Sequence, residues 1–414
     1  DAYIYQGPEK GFIHGEFEVK DGRFHNIRFF PAGECPQTTS LTPGMPAHVQ
    51  TAGYLLREEP HNGCGRADTA ECDFGNVTEL KGAYVIPGLV DIHVHGSLGA
   101  DFSDADHEGL RRMGRYLLTK GITSFLPTSM TLPVERLKKV FSTAKRMSEE
   151  APKDAAKLLG INMEGPFFSA KRKGAQNEAY LRLPETSLFE ELYEESNGLI
   201  RIVCVAPELS GGIDFIEKAS RLCTVSLAHT DAGYSEARRA FEAGAGHVTH
   251  LFNAMPPFHH REPGVIGAAA EREDVTAELI CDGLHVHESA VRLAFRLFPK
   301  RICLISDAAR SLGMPDGVYE LGGQQTYLRG KRLTLMDGKT IAASATDLFD
   351  CMKNAIAFGI PVKDAVYSAT MAPARAAGID ALAGSIEPGK PADFIICDEE
   401  LNRLRVYREG VPCA

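Results

Sequence analysis

The chain has 414 residues and a formal net charge of −10, too long for one minimal core and suited to a large catalytic unit with a small satellite. Lys and Arg are scattered through this acidic chain, so neither nucleic acid nor an anionic membrane is an expected partner. No apolar run approaches the ~20 residues of a membrane helix. The first residues, Asp1 to Gln6, lack a basic start followed by an apolar stretch, so no signal peptide is expected. The ten cysteines are dispersed without a CxxC pair. Cys204, Cys223, Cys281 and Cys303 fall in apolar strand-like runs and read as reduced, buried thiols of a cytoplasmic protein. Cys64 and Cys72 leave a surface pair or a metal clip as a minor alternative.

In chain order, Asp1 to Ile27 alternate apolar and polar residues with turn signals, which predicts short antiparallel strands. Cys35 to Lys81 is rich in Pro, Gly, Thr and charge, has little periodicity and is long for a connection. It reads as an insertion, a mobile excursion or a lid. From Ala83 onward eight apolar runs follow: Val85 to His93, Thr123 to Thr128, Leu158 to Glu164, Ile200 to Glu208, Thr224 to Thr230, His247 to Phe252, Thr276 to Asp282 and Arg301 to Asp307. Between them lie segments such as "DHEGLRRMGRYLLTKG" and "VERLKKVFSTAKRMSEE", whose apolar residues recur at helical spacing. Eight strand-helix units predict an α/β fold, a (β/α)8 TIM-like barrel over 83–345. An open doubly wound sheet would want a Gly fingerprint after its first strand, where "DIHVHGSLGAD" places histidines instead. The tail "GSIEPGKPADFIICDEELNRLRVYREG" alternates like the start of the chain. Residues 1–82 and 346–414, with helices before the last strands, are therefore expected to form a small flanking β-sandwich.

Several runs end in a candidate ligand or acid, and in a barrel those ends converge on one face. His93 and His95 close the first run; side chains two apart on a strand point the same way and can share one ion. Glu164 closes the third run, His229 the fifth, His250 the sixth and Asp307 the eighth. A lone strand-end histidine is more often structural. Four of them with Glu164 and Asp307, all at one end of successive strands, reverse that judgement. Two His and a carboxylate leave a zinc position open, as a catalytic site requires. Such donors accept zinc, iron, manganese or cobalt; zinc is the first choice, with one or two ions per subunit left open. His285 and His287 repeat the HxH spacing after the seventh run, so spacing alone does not choose between the pairs. His247 starts its strand at the far end and reads as structural. His14, His25, His48, His61 and His107 receive no role.

The segment "IPGLVDIHVHG" resembles the opening motif of the amidohydrolase superfamily. "MEGPFFSAKRKGAQN", "LAHTDAGY", "HVTHLFNAMPPFHHREPG", "ICDGLHVHE" and "ISDAARSLGMPDGVYELGG", in that order, resemble the N-acetylglucosamine-6-phosphate deacetylases over roughly Ala83 to Gly389. The resemblance implies that Glu164, His229 and His250 hold the principal metal, that His93 and His95 offer a second position, and that Asp307 is the catalytic acid and base. It puts Asn253, the backbone of Ala254, Arg261 and His285 around a sugar phosphate, and Ala175 and Gln176 against the sugar; some relatives carry His in place of Gln176. It matches Ala342, Ala343 and Ser344 to a substrate-lining loop that often carries Gly before Ser. It further implies a homodimer in which Arg261 reaches the neighbouring subunit's site. The insertion has no counterpart in the pattern. The alternatives are a deacetylase for the galactosamine epimer, a cyclic amidase on the same scaffold, and a non-catalytic binding protein, which would have no need of Asp307 beside the ligand cluster.

Overall fold

The computed structural model describes residues 2–30, 80 and 82–413. Apart from Leu80, the expected insertion, with Cys64, Cys72, His48 and His61, lies outside the described residues. The centre of the fold is a set of parallel strands: β1 (Leu89–Val94), β2 (Ile122–Pro127), β3 in two pieces (Lys157–Leu158 and Ile161–Met163), β4 (Ile200–Val205), β5 (Thr224–Leu227), β6 (His247–Val248), β7 (Thr276–Ile280) and β8 (Ile302–Ile305). The second piece of β3 through β8 form one parallel sheet in chain order, and β1, β2 and the first piece of β3 form another. Parallel bridges link them: Thr128 to Asn162 on one side and Val94 to Ala308 on the other. The β strands are almost wholly buried, as strands covered on both faces must be.

A helix follows each strand, beginning with His107–Thr119 after β1 and Val134–Glu150 after β2. The first is started by the side chain of Asp106, which accepts from the backbone N–H of Glu108. Its Leu110, Met113, Leu117 and Leu118 share one buried face. Each such side chain contributes about 1.5–3 kcal/mol by leaving water. Among the described residues no helix is long and apolar enough to cross a membrane.

The run read as one strand from Val85 to His93 is two strands. Tyr84–Pro87 pairs with Phe394–Cys397 and Ala2–Tyr5, whereas Leu89–Val94 begins the parallel set. Gly88 makes the break: any side chain there would run into Thr123. Strands from both chain ends thus share a seven-stranded sheet, ordered Val411–Pro412, Arg403–Arg408, Phe394–Cys397, Tyr84–Pro87, Ala2–Tyr5, Phe12–Lys20, Arg23–Phe29. Its neighbours are antiparallel except Ala2–Tyr5 against Tyr84–Pro87, which run parallel. The helices Leu348–Ala357, Val362–Ser368 and Met371–Ala376 pack against β8, the first and third also against β1. A three-stranded antiparallel sheet, Gly317–Leu321, Gln324–Arg329 and Arg332–Leu335, follows β8 and is not among the expected elements.

Candidate metal centre

The candidate ligands sit at or just beyond the strand ends. His93 lies in β1 and His95 one residue past it; Glu164 follows β3 by one residue, and His229, His250 and Asp307 follow β5, β6 and β8 by two. The strands are shorter than the apolar runs because the chain bends there: φ is 45° at His229, 29° at His250 and 48° at Asp307. A left-handed backbone at non-glycine residues is unfavourable, and its recurrence at three candidate ligands is the kind of strain that functional sites retain. Gly165, with φ of 96°, turns the chain immediately after Glu164, where a side chain would collide with Thr131.

Glu164 is the hub. Its Oε1 lies 3.2 Å from Nε2 of both His229 and His250 and 3.5 Å from Nε2 of His93, and its Oε2 lies 3.6 Å from Nε2 of His95. Asp307 Oδ1 stands 3.2 Å from His95 Nε2 and 3.5 Å from His93 Nε2. Among the described residues, two groups of donor atoms are close enough to hold an ion each: His93, His95 and Glu164, and Glu164, His229 and His250. Glu164 belongs to both. All five residues and Asp307 are buried.

The outward nitrogens explain why the inner ones are free. His229 Nδ1 donates to the Arg172 carbonyl at 2.9 Å, His95 Nδ1 to the Thr128 carbonyl at 3.1 Å, and His93 Nδ1 to Glu278 Oε2 at 2.8 Å. Carbonyls and carboxylates only accept, so in these three rings Nδ1 carries the proton and Nε2 turns a lone pair into the cluster. Nε2 of His93 is buried with no hydrogen-bond partner, a cost that a cation would remove.

The charges agree. Burial alone would lower the His93 pKa, but Glu278, Asp307 and Glu164 outweigh it and push it up to about 10. His95 and His250 also rise, against burial, through Asp307 and Glu164. Burial opposes ionisation of Glu164, yet the His93 charge and hydrogen bonds from His229 and His250 hold it well below the usual carboxylate range. A cluster that draws protons onto its imidazoles is short of positive charge. Three carboxylates with four inward-facing histidines therefore fit a divalent cation.

A profile of the amidohydrolase family matches residues 84–411. The N-acetylglucosamine-6-phosphate deacetylase of Bacillus subtilis (strain 168) is 39% identical over 331 residues, covering 79% of this chain and 83% of that protein. The enzyme of the same name from Vibrio furnissii is 35% identical over 329 residues, covering 79% and 82%. This chain belongs to the amidohydrolase family, in its N-acetylglucosamine-6-phosphate deacetylase branch. A solved N-acetyl-D-glucosamine-6-phosphate deacetylase from Mycobacterium smegmatis superposes on this amidohydrolase with a TM-score of 0.83 at 28% identity, over 100% of this chain and 99% of that one.

The other candidate residues of this amidohydrolase divide into those that join the cluster and those that do not. Gln176 joins it: its amide donates to Glu164 Oε2 at 2.7 Å and accepts from the Thr131 N–H at 2.8 Å, so both ends are engaged. Ala175 precedes it, its carbonyl accepting from Gln324 of the unforeseen antiparallel sheet. Ser344 N donates to the Asp307 carbonyl at 2.7 Å, which lays Ala342 to Ser344 beside the acid; Ala343 has φ of 57°. Asn253 donates to the His250 carbonyl at 3.2 Å, and the Ala254 carbonyl accepts from Thr230 N. His285 is held through Nδ1 by Asp282 at 2.7 Å, outside both ligand groups. His287 is exposed and caps helix Glu288–Leu297. Arg261 is exposed, and among the described residues its hydrogen bonds go to His259 and His260 of its own loop.

Sequence reasoning missed Glu278. It sits in β7, fully buried, between His93 and His247. The signal was a carboxylate inside the otherwise apolar run "TAELI".

Proposed function

We propose that this chain hydrolyses the acetamide of N-acetyl-D-glucosamine 6-phosphate to D-glucosamine 6-phosphate and acetate, a step of amino-sugar breakdown and recycling. The observation that carries the reading is the convergence of four imidazoles and Glu164 beside the carboxylate of Asp307, in a chain 39% identical to a deacetylase of that name. Glu164, His229 and His250 hold the principal metal, and His93 and His95 with Glu164 offer a second position. Zinc is the first choice for such donors; iron, manganese and cobalt are accepted by the same set. When bound, the ion lowers the pKa of a water from about 15.7 to about 7 and polarises the acetamide carbonyl.

The chain's own groups do the rest. Asp307 is the general base and acid. Burial opposes its charge, but His93, His95 and His250 keep its pKa below the usual carboxylate value, so it stands ionised before the reaction. Its carboxylate takes a proton from the attacking water as the oxygen bonds to the acetyl carbon, and returns it to the nitrogen as the C–N bond breaks. The products are acetic acid and the amine; the acid ionises to acetate as its proton passes to the amine, and Asp307 is restored. Proton transfer of this kind contributes typically about 10²- to 10⁴-fold.

Recognition of the sugar phosphate falls to Asn253, the backbone of Ala254, His285 and Arg261, with Ala175, Gln176 and Ala342 to Ser344 as walls. Gln176 acts there through its hold on Glu164. A guanidinium meets phosphate with a planar pair of donors, needed in a chain whose net charge is −10. The exposure of Arg261 supports its contribution across a homodimer interface into a neighbouring site. The parallel bridges at Thr128 and Val94 support a closed (β/α)8 barrel over 83–345. A separate apolar cluster, including Ile4, Phe24, Val85, Phe394 and Ile396, supports a small β-sandwich unit from 1–82 and 346–414. The helices of 348–376 pack on β1 and β8, and Val362–Ser368 also on Gly7–Lys10 near the start of the chain. The buried free thiols of Cys204, Cys281 and Cys303 support a cytoplasmic setting.

The test is acetate release from N-acetylglucosamine 6-phosphate, from the unphosphorylated sugar and from the galacto epimer. The phosphorylated gluco compound is expected to be turned over with the highest kcat/KM. Equal rates with and without phosphate would remove the role given to Arg261 and His285. A preference for the galacto epimer would select the alternative.

A further inference from the structure

Glu278 is the one carboxylate of the cluster that faces no open side of the site. It is fully buried in β7 beneath the ligands, and its Oε2 lies 2.8 Å from His93 Nδ1 and 3.1 Å from the backbone N–H of His250. Its Oε1 faces His247 Nε2 at 3.3 Å, and His247 Nδ1 in turn meets Thr276 Oγ1 at 2.6 Å. Burying a charged group so deeply is expensive unless it is paired: Oε2 holds both hydrogen bonds, Oε1 has His247 only at ion-pair distance, and each of these neighbours is a ligand or lies on the strand that leads to one.

We propose that Glu278 is a positioning residue: it fixes the ring orientation and tautomer of His93, and so makes His93, His95 and Glu164 a competent metal position, while its contact with the His250 amide ties that position to the second group. The inference rests on the metal reading above. The geometry leaves little freedom. A carboxylate can only accept, so His93 Nδ1 must donate to it, and Nε2 is left aimed at Glu164 Oε1 and Asp307 Oδ1, 3.5 Å from each. Without that acceptor the ring is free to reverse its tautomer, and Nε2, carrying the proton, is lost as a ligand atom. The same oxygen receives the amide of His250, whose left-handed backbone must be held for its imidazole to meet Glu164. His95 and His229 use backbone carbonyls for the same purpose; the His93 ring leans on a side chain, so its orientation is open to change by one substitution.

The experiment compares wild type, Glu278→Gln and Glu278→Asp as cobalt(II)-loaded full chains, reading metal per chain against a competing chelator, the visible absorption of the bound cobalt, and thermal unfolding. Loss of an outer partner of a ligand histidine typically weakens metal affinity about 10- to 100-fold. Glu278→Gln is expected to show that loss for one bound cobalt, with a changed absorption band, while cobalt at Glu164, His229 and His250 is retained; Glu278→Asp is expected to recover part of the affinity. A folded Glu278→Gln protein with wild-type affinity and absorption would overturn the proposal. So would equal loss at both positions that follows unfolding and is not recovered by Asp, which would make Glu278 a residue of the fold alone. Wild type that takes up no cobalt would instead remove the metal reading itself, and this proposal with it.

Discussion

His250 and Arg261 are eleven positions apart in one segment, yet the two ends of that segment are built in opposite ways. His250 is buried, its amide tied to Glu278 and its ring to Glu164 and His229. Arg261 stands on an exposed loop, hydrogen-bonded among the described residues to the neighbouring His259 and His260. The cluster that would cleave the amide is complete within one chain and fixed by packing before any ligand arrives. Of the groups that would grip the phosphate, Arg261 is the loosely held one, whereas His285 is tied to Asp282. Catalytic geometry has to be rigid to a fraction of an ångström, which burial supplies; recognition has to admit and release a charged molecule, which burial would prevent.

The strongest challenge to the rigid half is Asp307→Asn. It keeps the shape of the side chain and its backbone bonds to His93 and Ser344, so metal content should stay at the wild-type level. Turnover should fall by about 10²- to 10⁴-fold, measured as acetate released per chain at saturating substrate. An active Asp307→Asn chain would strip Asp307 of its proton-transfer role and leave the cluster a binding site only.

The loose half is challenged by Arg261→Ala. Loss of a charge-assisted pair is worth about 1.5–3 kcal/mol, or roughly 10- to 150-fold in kcat/KM, and it should appear in KM for the phosphorylated sugar with kcat little changed. Mixing Arg261→Ala and Asp307→Asn chains, each impaired at low substrate, should restore some activity if Arg261 serves a partner's site. No recovery would confine Arg261 to its own chain.

The contrast also explains what is legible in the residues. The ligands can be found because strand ends in a parallel α/β fold converge whatever the loops do, and His229, His250 and Asp307 each sit two residues past a strand. Glu278 escapes because an isolated acid in an apolar run looks like an outward-facing residue, whereas β7 turns it inward against His93. The break at Gly88 escapes because its cause is Thr123, distant in sequence and visible only once the strands pack. The antiparallel sheet of 317–335 escapes because its alternating residues, with Gly322, Gly323 and Gly330 at the turns, look like loop. How Arg261 meets a phosphate is not written in any local pattern, because among the described residues its hydrogen bonds stay within its own loop.

Asp282 sits between the two halves and sharpens the boundary. Its Oδ1 accepts from the amides of Leu284 and His285 and its Oδ2 from His285 Nδ1. Burial alone would raise its pKa, but the hydrogen bond and charge of His285, with those amides, bring it below the ordinary value. A carboxylate whose folded pKa is depressed adds stability above its unfolded pKa of about 3.9, and loses it as pH falls through the lower folded value. Wild type should therefore exceed Asp282→Asn by about 1–3 kcal/mol near neutrality, with the gap closing on acidification below about pH 4. Denaturant unfolding near neutrality and again below about pH 4 checks this. A gap independent of pH would mean that His285 is held by packing rather than by charge.

The smallest effect comes from the strain stored in the rigid half. Ala343 has φ of 57° beside Ser344, whose N–H is committed to the carbonyl of Asp307. A left-handed backbone costs a non-glycine residue roughly 1–2 kcal/mol, and glycine removes that cost while adding about 0.4–1 kcal/mol of disorder to the unfolded chain. Ala343→Gly should therefore stabilise the fold by no more than about 1.5 kcal/mol, a rise of a few degrees at most in Tm. If the wall of the site is as preformed as its hydrogen bonds imply, KM should not move. A raised KM in a more stable variant would mean that the alanine methyl holds the loop against the substrate, and that rigidity in this part of the site comes from strain as well as from burial.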